Sequence, residues 1–235
     1  MNAKPVNAPI PDTSAILLFI KAPVLGRVKS RLAAAIGEKA ALDLYENFVL
    51  DSLATVEKTG IPFRICVYPP EAEKEAASWL GDRYRFMPQE GIDLGERMES
   101  AFLACFSEGL ERVVLMGSDL PDLPSAVLEA VISSLKQNDV AIGPASDGGY
   151  YLIGFNKDSF LPEIFHGIAW STKTVFEKTM TVLRDSGLAI QQAPQWHDID
   201  TLADLKALFE RSKGTSFDKS KTMTYLRNEG ARLLP

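Results

Sequence analysis

The chain has 235 residues, 46% hydrophobic and 24% charged, which suits one large α/β domain or two small ones with a full-sized core. A formal charge of −6 excludes a nucleic-acid binder that works by bulk positive charge. No apolar stretch approaches the roughly 20 residues of a membrane span. The run "AILLFI" is too short for a signal-peptide core and lacks a cationic start or a cleavage site, so a cytoplasmic protein is expected. Two cysteines, Cys66 and Cys105, without a CxxC spacing agree with a reducing compartment.

Residues 1–13, with three prolines and little apolar content, read as a flexible arm. The continuous apolar run 15–20 then predicts a strand covered on both faces. Residues 38–58 place Leu42, Tyr45, Val49, Leu53 and Val56 three or four apart, a helical stripe. A strand is expected at 63–69, a helix at 71–80, a short strand at 84–89 and a helix at 93–109. A strand follows at 112–119, a helix at 124–137, and two strands at 139–145 and 149–155 flank a turn. A helix at 172–186, a strand at 188–194 and a helix at 201–212 complete the pattern. Residues 213–235 read as a polar tail with one short helix near 218–228. Strands joined through helices imply a mostly parallel sheet with helices on both faces, and no interior linker divides residues 14–212.

In open α/β sheets, ligands sit beyond the carboxyl ends of the strands. The first strand is followed by "APVLGRVKSRLA", which with Lys21 brings Arg27, Lys29 and Arg31 together without an intervening acid. It is not a Walker A loop, having one glycine and the wrong spacing, yet it suits a small anion. After 112–117 comes Ser118-Asp119-Leu120-Pro121-Asp122. Asp119 is a candidate metal ligand, while Asp122 reads as a cap for the helix that follows. After 139–145 comes Ser146-Asp147-Gly148-Gly149, either a plain hairpin turn or a turn open to a ligand's approach. After the last strand comes Trp196-His197-Asp198-Ile199-Asp200, with Thr201 and Asp204 close to a capping box. Cations beside carboxylates suit a metal–phosphate ligand. His197 reads as packed beside Trp196, and His166 has no partner in the sequence, so a zinc site is not expected. The absence of G-x-S-x-G leaves a hydrolase triad nothing to stand on.

Six ordered motifs, "IKAPVLGRVKSRLA", "QEGIDLGERM", "GSDLPDLP", "GPASDGGYYLIG", "IAWSTKTV" and "DIDTLADL", resemble a bacterial family of nucleotide-diphospho-sugar transferase-like proteins, also called selenodomain-associated transferases. The resemblance runs from about residue 15 to 210 and implies the GT-A glycosyltransferase fold. "GRVKSRLA" is also similar to the loop that holds the nucleotide triphosphate in 2-phospholactate guanylyltransferases, which implies phosphate contacts for Gly26, Lys29 and Arg31. The same resemblance implies metal binding at Asp119, with Asp198 or Asp200 assisting, and a second-substrate turn at Asp147, Gly148 and Gly149. "QEGIDLGERM" falls where such enzymes contact the base, making Gln89, Gly91 and Asp93 candidates. The chain departs from the Asp-x-Asp pattern usual in glycosyltransferases of this fold, having Leu120-Pro121 after Asp119.

The expectation is therefore a magnesium- or manganese-dependent transferase. Lys21, Arg27, Lys29 and Arg31 would bind phosphate, and Asp147 would deprotonate an acceptor hydroxyl. The family resemblance favours a nucleotide-sugar donor. The basic loop favours a nucleotidyltransferase that releases pyrophosphate, and a third reading is a nucleotide-binding protein without catalysis. The expected partners are a nucleotide or nucleotide sugar and a small-molecule acceptor. A homodimer is allowed, and neither nucleic acid nor a membrane span is expected.

Overall fold

The first strand shows why this chain makes a three-layer α/β structure. In a computed structural model, which describes residues 13–233, β1 (Ser14–Lys21) is buried along its length except at Lys21. Successive side chains of a strand point to opposite faces. Ile16, Leu18 and Ile20 enter one core, while Leu17 and Phe19 enter another. A helix layer must therefore cover each face. The expected arm lies outside the described residues, except for Thr13.

After β1 the chain forms α1 (Ser30–Ile36), α2 (Glu38–Lys58), β2 (Phe63–Tyr68), α3 (Glu73–Leu80), β3 (Phe86–Pro88) and α4 (Leu94–Ser107). It continues through β4 (Arg112–Gly117), α5 (Ser125–Ser134), β5 (Val140–Pro144), β6 (Tyr150–Asn156), α6 (Val175–Asp185), β7 (Ile190–Gln192), α7 (Leu202–Ser212) and α8 (Lys221–Leu233). The seven strands form one sheet in the order β3-β2-β1-β4-β6-β5-β7. β6 pairs antiparallel with β4 and β5, and every other pairing is parallel. The α/β class with a mostly parallel sheet is thus realised. Because only β6 is reversed, the segments after β1, β4, β5 and β7 all emerge at one edge of the sheet.

Residues from α2, α3 and α5 pack on one face, and residues from α4 and α6 on the other. A third cluster joins α1, α2, α7 and α8 through Leu32, Phe48, Leu208 and Leu226. Both cysteines are free and buried. Among the described residues no helix is long and apolar enough to cross a membrane.

The segment read as a polar tail carries a 13-residue helix packed against the domain. Thr222, Met223 and Leu226 of α8 are fully buried. Asp51 of α2, itself buried, accepts from the backbone N–H of Lys221 at 3.0 Å and of Thr222 at 2.9 Å, and so satisfies donors that a helix start leaves free. Met223 and Leu226 join the third apolar cluster, but the cap at the start of α8 is polar and adds nothing to a hydrophobic pattern. Replacing Asp51 by Ala leaves both N–H groups without an acceptor. We expect a loss of about 2 kcal/mol in urea unfolding. Amide exchange should quicken first at the start of α8.

Candidate active site

The loop after β1 turns its cations in different directions. Val24 to Arg27 form a tight turn, with the Arg27 N–H donating to Val24 at 2.9 Å and Gly26 at φ 73°. Gly26 and Arg27 do not line the cleft described below, and Arg27 is exposed. Lys29 adopts left-handed backbone angles, φ 50° and ψ 45°, at the start of α1. Such a conformation is uncommon for a residue other than glycine, and it persists only where surrounding contacts hold it. Here they are electrostatic. The Lys29 Nζ lies 2.7 Å from Asp119 Oδ1 and 2.9 Å from Asp200 Oδ1, with a side chain 4% exposed. Burial works against the ammonium charge, but Asp119 and Asp200 outweigh it and hold the pKa above the ordinary lysine value. Arg31 is largely exposed, 3.6 Å from Asp200 Oδ2.

The carboxylates reach this point from three strand ends. Asp119 follows β4, in a turn where Leu120 and Leu123 are buried. Its backbone carbonyl accepts from Ile199 N at 3.0 Å, which fixes the closing segment beside it. Burial would raise the Asp200 pKa, but Lys29 and Arg31 draw it below the usual aspartate range. Asp198 behaves in the opposite way: burial first, and then the negative charge of Asp147, raise its pKa. The Ser146 hydroxyl donates to Asp198 at 3.3 Å. Asp147 accepts from Gly149 N at 2.8 Å, so the turn reading of this loop holds alongside any ligand role. Gly148 has φ +93°, and a Cβ there would fall 2.3 Å from the Lys173 carbonyl oxygen.

Together these loops border a cleft of about 530 Å³ at the carboxyl edge of the sheet. Of the sequence candidates, Lys21, Lys29, Arg31, Asp119, Asp198 and Asp200 line one side, and Gln89, Asp147 and Gly149 also border it. Gln89 is buried, and its Nε2 donates to the carbonyls of Ile20 at 3.0 Å and Cys66 at 2.8 Å, tying β1 to β2 beneath the cleft. Tyr45 clamps β1 from α2: its phenol accepts from Lys21 N at 2.7 Å and donates to Lys21 O at 3.0 Å. Gly91, Asp93 and Gly148 do not line the cleft. Asp93 is the N-cap of α4, accepting from Glu96 N at 2.9 Å. Gly91 has φ +142°, and a Cβ there would sit 2.6 Å from Glu96 Cβ.

Other expectations change on inspection of partners. Asp122 does not cap α5, whose N-cap is Pro124 without a side-chain bond. It accepts instead from Trp196 Nε1 at 3.1 Å and Arg211 Nε at 2.8 Å, binding the closing segment to α7. The capping box of α7 forms, with Thr201 and Asp204 reciprocally bonded. His197 is exposed rather than packed. His166 lies 2.8 Å from Glu99, a partner far away in sequence.

The cleft has a second wall that sequence reading did not single out. Tyr68, Arg97, Tyr150 and Trp170 line it. The Arg97 guanidinium lies over the Tyr68 ring at 4.1 Å, and Tyr150 meets Trp170 edge-on at 6.4 Å. Arg97 stands in "QEGIDLGERM" and Trp170 in "IAWSTKTV", so the motifs were visible but not the residues within them that face the cleft.

For a divalent cation the donor chemistry fits. Asp119, Asp198 and Asp200 carry the hard oxygen donors such an ion takes, and Asp198 is half-buried with no ion pair among the described residues. Among the described residues no group of three or more acidic, histidine or cysteine side chains is preassembled around one point. Magnesium is commonly held by one or two carboxylates plus substrate phosphates, so this arrangement suits an ion that arrives with its nucleotide.

Comparison with known proteins shows the family and the fold. A family model described as an uncharacterized protein conserved in bacteria, DUF2064, matches residues 50–172. A crystal structure from Desulfovibrio desulfuricans G20, provisionally named a nucleotide-diphospho-sugar transferase, is 42% identical with a TM-score of 0.91, covering 94% of this chain and 97% of that one. A Methanothermobacter nucleotidyl transferase is 12% identical, with a TM-score of 0.58 over 84% of this chain and 96% of that one. The 4-diphosphocytidyl-2C-methyl-D-erythritol synthase of Anaerococcus prevotii DSM 20548 is 13% identical, with a TM-score of 0.53 over 81% and 94%. The last two likenesses show the fold alone. The fold is that of nucleotide-sugar transferases, as the motifs implied.

The opposed titrations of Asp198 and Asp200 give a test without substrate or added metal. The folded-state pKa of Asp198 is raised, so its ionisation costs stability as pH rises through that value. Asp198→Asn is expected to raise the melting temperature near neutral pH and to give no gain in acid. The folded-state pKa of Asp200 is lowered, so its contribution is present above the unfolded carboxylate pKa and lost as pH falls through the folded one. Asp200→Asn is expected to lower the melting temperature at neutral pH, with the difference closing in acid. Thermal unfolding of the three proteins across pH checks both signs.

Proposed function

This chain belongs to the bacterial family DUF2064, and from that premise we propose that it is a nucleotide-dependent transferase whose donor is a nucleotide sugar and whose acceptor is a small hydroxylated molecule. The observation that carries the reading is the Lys29 ammonium held between Asp119 and Asp200 on the cation-lined side of the cleft. An ammonium has three donors, and two of them are directed at these carboxylates, which leaves one for a phosphate oxygen. Lys21 and Arg31 border the same side with their charges in solvent, suited to the remaining oxygens of a diphosphate. Asp119, with Asp198 or Asp200, would hold magnesium or manganese, which when bound would supply positive charge to the departing phosphate.

Asp147 is the group placed to take the acceptor's proton. It is exposed at the β5–β6 turn, and its bond to Gly149 N occupies Oδ1. Oδ2 is then the oxygen available to an acceptor hydroxyl. Orientation of the acceptor by this loop and release of the nucleoside diphosphate past Lys29 and Arg31 complete the transfer.

A specific observation also favours nucleotidyl transfer as a second reading. The carboxylates that converge on Lys29 come from different segments, and Leu120 and Pro121 follow Asp119, so the turn after β4 carries no Asp-x-Asp pair. Mass spectrometry of reactions containing magnesium, an acceptor panel and either nucleotide sugars or nucleoside triphosphates separates the readings. The first reading requires acceptor-dependent release of a nucleoside diphosphate from a nucleotide sugar. Acceptor-dependent pyrophosphate from a triphosphate, with the sugars untouched, replaces it with the second. Nucleotide binding without turnover of either leaves a binding protein.

A further inference from the structure

The cleft reaches past the charged loops into the apolar layer on the other face of the sheet. Phe19, Leu94, Met98, Leu115, Tyr150 and Trp170 all border it. They also belong to one contiguous apolar cluster, the one beneath α4 and α6. The residues behind the lysine side, Ile20, Val28, Tyr45 and Leu120, belong instead to the cluster on the α2 face. On β1 and β4, Leu17 and Val113 are wholly buried, whereas Phe19 and Leu115, two residues nearer the cleft on the same face, keep 8% and 5% of their surface. Half-buried Leu94, Tyr150 and Trp170 frame that opening. The polar atoms of this recess are mostly turned away or already bonded. The Tyr150 phenol donates to the Met98 sulfur at 3.9 Å, and burial raises its pKa well above the ordinary value, so it stays neutral. Trp170 Nε1 is shielded, and the indole is wedged on Gly95, where a Cβ would fall 2.8 Å from Trp170 Cζ2. The Thr172 hydroxyl donates to the Ala169 carbonyl at 2.8 Å, and Gln89 commits its amide to two backbone carbonyls. The Arg97 guanidinium lies on the Tyr68 ring. What remains for a ligand is chiefly carbon and sulfur surface.

We propose that this recess holds the body of the acceptor, which is therefore an alcohol whose hydroxyl is carried on an apolar ring rather than a polyol or a sugar. An apolar ring gains by leaving water for such a surface, whereas a polyol would give up hydration for few partners. The recess is preformed, because Tyr150 meets Trp170 edge-on and Gly95 fixes the indole from α4. It also adjoins the turn assigned to the acceptor's proton. Tyr150 directly follows Gly149, whose N–H is bonded to Asp147. From Trp170 the chain passes to 173–176, where Phe176 N donates to the Gly148 carbonyl at 2.9 Å. The donor's phosphates and the acceptor's body would thus lie at the edges of opposite faces of the sheet, with the Asp147 turn bordering the acceptor. Naming the occupant an acceptor rests on the transferase reading above; binding of an apolar ring in the recess does not.

The test is saturation-transfer NMR titration of the full-length protein with 2-phenylethanol, cyclohexylmethanol, myo-inositol and glycerol, with a separate calorimetric titration of UDP, GDP, CDP and ADP in magnesium. At least one ring alcohol should bind, about tenfold or more tighter than inositol and glycerol. The wild type is compared with Leu94→Asn, which puts an amide in the recess at a half-buried position, and with Leu94→Trp, which fills it. Each should weaken the ring alcohol about fivefold or more while changing nucleotide affinity by less than about twofold. Absence of ring-alcohol binding, inositol binding as tightly as the ring alcohols, or normal ring-alcohol affinity in the Leu94 variants each overturns the proposal. An equal loss for nucleotide and ring alcohol puts the nucleobase in the recess and overturns it too. If Leu94→Trp fails to fold, Leu94→Asn decides alone. Failure of every nucleotide to bind the wild type defeats the donor reading and leaves the ring-alcohol result to stand or fall separately.

Discussion

A charged lysine side chain that is 4% exposed is tolerable only with its counter-charges in place. Asp119 and Asp200 provide them, from the turn after β4 and from the segment before α7. Loss of either would leave a buried ammonium incompletely paired, so the positions of β1, β4 and the closing segment are fixed relative to one another. The same contacts hold Lys29 in its left-handed conformation, which in turn sets where α1 begins. The Ile199–Asp119 backbone bond carries the constraint into the main chain. The cation-lined side of the cleft is therefore an internally neutralised cluster that presents Lys21 and Arg31 outward.

The floor beneath that cluster is fastened by uncharged bonds. Gln89 ties β1 to β2, and Tyr45 grips both backbone groups of Lys21. Burial raises the Tyr45 pKa well above its ordinary value, so the phenol remains a neutral hydrogen-bonding group. A ligand entering between the two walls meets a rigid base. The adaptable elements are the exposed turn at Val24 and Leu25 and the long side chains of Arg31 and Lys21.

Much of this architecture is legible in the sequence, because hydrophobic period and capping chemistry are local. The helix expected at 38–58 forms over Glu38–Lys58, and the Thr201–Asp204 capping box closes as its spacing implies. The rule that strand ends gather functional loops brings Lys29, Asp119, Asp147, Asp198 and Asp200 to one cleft. Direction and partner were not legible. Nothing in "GRVKSRLA" shows that Lys29 turns inward while Arg27 stays in solvent, since the deciding partners lie far away in the chain. Asp122 and Asp93 illustrate the ambiguity of single aspartates near helix starts: the first crosslinks Trp196 and Arg211, and the second caps α4. Arg97 shares "QEGIDLGERM" with glycines and acids that look more eventful, and nothing in "IAWSTKTV" distinguishes Trp170 from a core aromatic. The docking of α8 escaped notice because a carboxylate and two backbone amides hold its start.

Tyr45, Phe48 and Asp51 occupy successive turns of α2, three residues apart. At 1.5 Å of rise per residue, the first and last are separated by about 9 Å along the axis. Tyr45 grips the strand end beside the cleft, Phe48 lies under the Lys29 ammonium at 5.8 Å, and Asp51 anchors the final helix. One rod therefore carries both α8 and the edge of the cleft. Sequence drift in the last helix of such a protein would not be neutral in the way that drift in a loose end is. A lineage that lost this helix would expose the outer side of the rod, and selection would have to rebuild that side to keep the lysine in register.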